Sequence, residues 1–133
     1  MFMVIGMLLG DREMPRRQII GHPENESGYR PGETAVLIWE FETIRDCPGY
    51  ATRRLILPTQ SVVLPSSTIA RRGLSDEDLP YFTRLRIEVP IPEDARPGQA
   101  YYDIKAFYRC NPMHGIWPIT VDFPAIPLLI VEP

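Results

Sequence analysis

At 133 residues, with 44% hydrophobic and 23% charged residues, the chain is the size of one domain and can build its own core. That composition excludes wholesale disorder and a polytopic membrane protein. A net charge of −3 supplies no basic footprint for phosphate neutralisation, so nucleic acid is not an expected partner.

Residues 2–9 form an uninterrupted apolar run, too short for the roughly 20 residues of a spanning helix. No positive residue precedes it and no small-residue cleavage site comes after it, as a secretory signal would require. Three readings fit: the tail of a longer anchor cut by a misassigned start codon, an interfacial anchor, or a buried N-terminal strand. Residues 1–16 are therefore set apart as an apolar segment with a charged connector, and residues 17–133 as the folded domain.

The chain carries 15 prolines, and they punctuate this domain. Proline is excluded from helix interiors and central strands, so short strands joined by tight loops are expected. Residues 17–20 begin the first strand, and turn-forming sequence then runs to Pro31-Gly32. The strongest strand is 34–44. Ala35, Leu37, Trp39 and Phe41 share one face while Glu40 and Glu42 take the other, the period-two signature of a half-buried strand. Trp39 is accordingly a core residue.

Strands at 50–57 and 61–64 come next, and Ser75 with Asp78 three positions on caps a single helical turn. Leu85, Ile87, Val89 and Ile91 alternate with Arg84, Arg86 and Glu88, and residues 100–110 alternate in the same way. Residues 116–131 are apolar but broken by Pro118, Pro124 and Pro127, which marks an edge strand. About seven strands separated by turn signals are the pattern of an all-β sandwich.

Cys47 and Cys110 fall at the same end of such a sandwich and are expected to form a disulfide, which places the domain outside a reducing cytoplasm. Arg12, Arg16 and Arg17 after the apolar run point the other way if that run spans, and the cysteine pair is given more weight. Cys47, Cys110, His22 and His114 lack the close ligand pairs of a zinc motif, so neither a metal nor another cofactor is expected. Ser66-Ser67-Thr68 lacks a nucleophile elbow, and adjacent Glu93 and Asp94 point apart if extended. The candidate functional feature is a surface. Loops around the two cysteines bring Tyr50, Asn111, Met113, His114 and Trp117 to one end, where sandwiches place binding residues.

The run from Pro92 through Pro97-Gly98 to Tyr101 and Tyr102, with Cys110 beyond it, resembles the E-to-F corner of immunoglobulin-like domains, where a tyrosine packs back on its own loop. Trp39 precedes the first cysteine instead of following it, so the resemblance is to the immunoglobulin-like β-sandwich and not to the antibody family. Asp11-Arg12, Asp46-Cys47-Pro48-Gly49, Tyr108-Arg109-Cys110-Asn111-Pro112 and Trp117-Pro118-Ile119 resemble small phage-encoded proteins with a short N-terminal hydrophobic anchor and one β-domain.

That resemblance implies an extracytoplasmic place, in a virion or at the periplasmic face of the inner membrane, and no chemistry. The expectation is a non-enzymatic structural or protein-interaction module. Its partners would be other proteins, phage structural proteins among them, with the membrane reached through residues 2–9. The alternative is a periplasmic accessory or lysis-related factor that binds cell-wall carbohydrate.

Overall fold

Alternation of apolar and polar residues sets which side of each strand faces inward, and the computed structural model, which describes residues 14–111 and 118–133, shows how those sides meet. The expectations for residues 2–9 and for Met113, His114 and Trp117 lie outside the described residues. Eight strands are described: β1 (Arg16–Pro23), β2 (Thr34–Thr43), β3 (Gly49–Ile56), β4 (Ser61–Ile69), β5 (Tyr81–Pro90), β6 (Gly98–Tyr108), β7 (Ile119–Asp122) and β8 (Ile126–Ile130). They form two antiparallel sheets. One has the order β1-β2-β5; the other has the order β4-β3-β6, with β7 and β8 both on the far edge of β6.

The inner faces meet in one core. Leu37, Trp39 and Phe41 of β2 and Val89 of β5 oppose Leu55 of β3, Tyr102, Ile104 and Tyr108 of β6, and Ile126, Leu128 and Ile130 of β8. Trp39 is 6% exposed, as its strand pattern requires. Its indole Nε1 donates to Gln18 Oε1 at 2.9 Å, and its ring meets Phe41 and Phe123 at centroid distances of 4.4 and 5.2 Å. The buried indole N–H is thus satisfied as a core tryptophan demands.

The last apolar region is two strands instead of one. Pro124, which lacks an N–H, falls between β7 and β8, and the pairing on β6 advances by one residue from Lys105↔Asp122 to Tyr102↔Ile126. That advance returns Ile126, Leu128 and Ile130 to the core side. β4 is longer than the sequence suggested because Pro65 lies on an edge strand, where a missing donor costs little. Ser75 and Asp78 do cap a single turn: the backbone N–H and hydroxyl of Ser75 both donate to Asp78 Oδ2 at 3.0 Å.

The two sides of the sandwich differ. On the β1/β8 side the sheets are tied. Tyr29 N donates to Leu129 O and Val131 N donates to Tyr29 O, both at 2.9 Å. A Cβ at Gly21 would lie 2.7 Å from the Ile126 side chain, so the backbone of β1 packs directly on that side chain of β8. On the β4/β5 side no such ties occur among the described residues. Leu85, assigned by alternation to a buried face, is 41% exposed because that face looks onto the open side.

Cys47 and Cys110 form a disulfide with a Cα–Cα distance of 4.9 Å and a sequence separation of 63. Continuing the β3·β6 register from Gly49↔Tyr108 by two residues sets the two cysteines opposite each other. The bridge therefore extends one ladder, and does not join the end of one sheet to the end of the other as an immunoglobulin-like order would suggest. A disulfide is compatible with an extracytoplasmic location. No helix among the described residues is long and apolar enough to cross a membrane.

Two outcomes are expected of this junction. Reducing Cys47–Cys110 lowers the denaturant midpoint by an amount equivalent to roughly 4 kcal/mol on the chain-entropy model while the far-UV spectrum stays that of a folded β-protein; an unchanged midpoint contradicts it. Gly49→Ala destabilises strongly even in the oxidised protein, because a Cβ there would lie 2.0 Å from Phe107 O.

Candidate functional site

The open side leads into a cleft of about 380 Å³ between the sheets, within the usual size range of small-molecule sites. Strand register orders its walls into layers. Phe41 pairs with Thr83 and Trp39 with Leu85 across β2 and β5, while Tyr108 pairs with Gly49 and Ala106 with Ala51 across β6 and β3. The layer nearest the disulfide holds Phe41, Thr83 and Tyr108. The layers beyond it hold Trp39 and Leu85, then Ile87 and Ile104.

All charged residues lining the cleft are arginines: Arg16, Arg53, Arg71 and Arg72. Arg53, on the inner face of β3, hydrogen-bonds through each of its three guanidinium nitrogens. Its Nε and one terminal nitrogen donate to Pro65 O at 3.1 and 2.9 Å, and the other donates to Tyr102 Oη at 3.2 Å. Arg16 differs. Its guanidinium lies 4.4 Å from the Phe41 ring centroid and 6.0 Å from that of Tyr108, and its Nε is buried without a hydrogen-bond partner.

Tyr108 Oη and Thr83 Oγ1, in the same layer, are likewise buried without partners. Burial lowers the pKa of Arg16 from its ordinary value, with Tyr108 and Asp46 acting in the opposite direction and Arg72 adding to the fall. Burial also raises the Tyr108 phenol, with Arg16 opposing.

Asp46 fixes the mouth. Its carboxylate accepts backbone N–H bonds from Arg72, Gly73 and Leu74 at 2.8, 2.7 and 2.9 Å, holding the segment that carries Arg71 and Arg72 against the disulfide loop. Desolvation pushes the Asp46 pKa up, but those three N–H groups and the charge of Arg71 outweigh it and hold it below the usual carboxylate value.

Of the surface expected from sequence, Tyr50 is 45% exposed and stacks on Phe107 at 4.8 Å, on the outer face of β3 and β6 and away from the cleft. Asn111 is half-buried immediately after the disulfide. Met113, His114 and Trp117 lie outside the described residues. Cys47 and Cys110 are bonded to each other and so are not metal ligands, and among the described residues no group of three or more acidic, histidine or cysteine side chains is placed to hold a metal.

The tyrosine that secures its own loop is Tyr29, whose hydroxyl donates to Val36 O at 2.9 Å and accepts from Asn25 N at 3.0 Å. Tyr101 is 42% exposed, and Tyr102 binds Arg53 instead of its own turn. Sequence reasoning missed Arg16, Thr83 and Tyr108 as a group. The available signal was an arginine and a threonine at positions whose strand periodicity points inward.

No family model matches the sequence, and no curated protein matches it. Among solved structures, Pseudomonas fluorescens alkylpurine DNA glycosylase AlkC, bound to DNA containing an abasic site analog, contains a similar fold. The TM-score is 0.54 at 11% identity, covering 96% of this chain and 33% of that one. The chain thus spans about a third of the length of the glycosylase chain.

This likeness concerns the fold. It corrects the expectation that the chain stands outside catalysis: an architecture present within an enzyme's chain does not exclude that role, and missing sequence motifs are not a sufficient ground, because function resides in sites grafted onto folds.

Asp46→Asn weakens the three N–H contacts and lowers the unfolding midpoint at neutral pH by a few degrees. Because the folded pKa of Asp46 is depressed, its contribution is complete above the ordinary carboxylate pKa and is lost as pH falls through the folded value. The gap between wild type and variant therefore closes in acid, as thermal scans across pH would record; a gap constant with pH contradicts the assignment.

Proposed function

We propose that this chain is an extracytoplasmic binding module of immunoglobulin-like architecture that holds an apolar ligand between its sheets. The observation that carries this is the one-sided closure of the sandwich, which leaves the aromatic floor of Trp39, Phe41 and Tyr108 reachable from the β4/β5 side. A largely apolar concavity with a few convergent polar groups is the general form of a ligand site.

The immunoglobulin-like assignment is supported by the strand order, in which β4 is added beside β3 as extra strands are in variable-type domains. The disulfide supports the location. Phage encoding, and a place in the virion or at the periplasmic face of the inner membrane, are proposed on the sequence resemblance alone. The glycosylase is bound to DNA, but a net charge of −3 argues against nucleic acid here.

The test uses Trp117→Phe protein, in which Trp39 is the remaining tryptophan, and the neutral dye N-phenyl-1-naphthylamine. Saturable one-to-one binding with quenching of Trp39 is expected, and Thr83→Phe, which fills the disulfide-proximal layer, weakens it about tenfold, the worth of about 1.4 kcal/mol. Absence of saturable binding, or an affinity unaffected by Thr83→Phe, overturns the proposal.

A further inference from the structure

The chemistry of the cleft identifies the class of ligand, on the premise that the cleft is a binding site. Its two ends are unlike. The end away from the disulfide is apolar along Leu85, Ile87 and Ile104, and the arginine there, Arg53, already donates from each of its three nitrogens, to Pro65 O and Tyr102 Oη.

The disulfide-proximal end carries three buried polar groups without partners, at Arg16, Thr83 and Tyr108, with Arg71 and Arg72 at the mouth. Buried donors in folded proteins are nearly always satisfied, and leaving one unmet is costly. Three in one layer are an unusual concentration. No carboxylate lines the cleft, and among the described residues no ion pair involves Arg16, Arg71 or Arg72. Asp46, the carboxylate whose charge reaches Arg16, is already held by three backbone N–H groups.

An anion is the group that matches these donors, set among arginines with no carboxylate facing them, and the remaining walls match an apolar body behind it. We propose that the cleft takes a small amphipathic acid, a carboxylate on an alkyl chain. Its head group accepts from Arg16 and Tyr108, with Thr83 beside them, and its chain lies along Trp39, Leu85 and Ile87. Arginine suits this role because its planar fork matches a carboxylate and it is more weakly hydrated than an ammonium, so desolvating it is less costly. The position of the guanidinium 4.4 Å from the Phe41 ring centroid adds orientation, because cation–π attraction to the ring face holds it in place.

The test compares dodecanoate, dodecanol and dodecyltrimethylammonium, each below its micellar concentration, by calorimetry on the oxidised full-length protein. Dodecanoate is expected to bind at least about tenfold more tightly than dodecanol, the scale of one charge-assisted hydrogen bond, with the cationic amphipath weakest. In Arg16→Gln the acid-to-alcohol ratio falls to near one. Because both ligands are measured on the same variant, a general loss of packing does not change that ratio, and Arg72→Gln, at the mouth, lowers it by a smaller factor.

Equal binding of acid and alcohol by the wild type overturns the inference while leaving the cleft a binding site. A ratio that survives Arg16→Gln overturns the assigned head-group position. If dodecanoate, dodecanol and the neutral dye all fail to bind, the binding-module reading falls together with the inference.

Discussion

The fold turns on the junction where the chain crosses from one sheet to the other, between β2 and β3. Four restraints converge there. The Cys47–Cys110 bond continues the β3·β6 ladder, Gly49 allows the backbone of β3 to sit against Phe107 O, Arg109 N donates to Pro48 O at 2.8 Å, and Pro15 O accepts from Ile44 and Arg45 at 2.7 and 3.0 Å. The last of these ties the start of β1 to the same place and so delivers Arg16 to the interior. A covalent bond at this point also closes a loop of sequence separation 63 in the unfolded chain, which lowers that chain's entropy.

From that anchored end the sandwich is asymmetric by construction. β1 and β8 close one side through Tyr29 and the glycine contact at Gly21, whereas β4 and β5 are the edges of different sheets and, among the described residues, are bridged by neither hydrogen bonds nor a shared strand. The outer faces of the sheets are charged. Arg84 faces Glu40 at 3.7 Å, Arg86 faces Glu24 at 3.3 Å, and Arg54 pairs with Asp103 at 3.0 Å. These exposed pairs contribute little stability, but they discourage unspecific edge pairing while the interior between the same edges stays apolar. An interior with cations at one end and hydrocarbon at the other is costly unless something meets the buried donors, which is why function is assigned to the cleft and not to the aromatic pair on the outer sheet face.

The likeness to part of a DNA glycosylase chain fits this separation of fold from site. Two-sheet sandwiches serve many purposes, and the purpose is set by which loops, edges or interlayer spaces carry unsatisfied chemistry. Here that chemistry is concentrated in a few side chains beside the disulfide and not in the loops that sandwiches most often use.

By itself the sequence determined the all-β class and the approximate place of most strands, the core position of Trp39, the capped turn at Ser75, the proline-broken edge and the pairing of the only two cysteines, because each rests on local periodicity, local turn chemistry or simple elimination. It also showed Tyr50 and Asn111 near the bridged end. Tertiary structure alone decided that the disulfide extends a single ladder, that the last apolar region divides with a one-residue advance, that Tyr29 rather than Tyr101 or Tyr102 secures its loop, and that Leu85 faces open space. It alone brought Arg16, Thr83 and Tyr108 together. Those residues are far apart in the chain, and each sits in an ordinary alternation pattern; whether an inward-pointing polar group meets a partner depends on the opposite sheet, which no local pattern encodes.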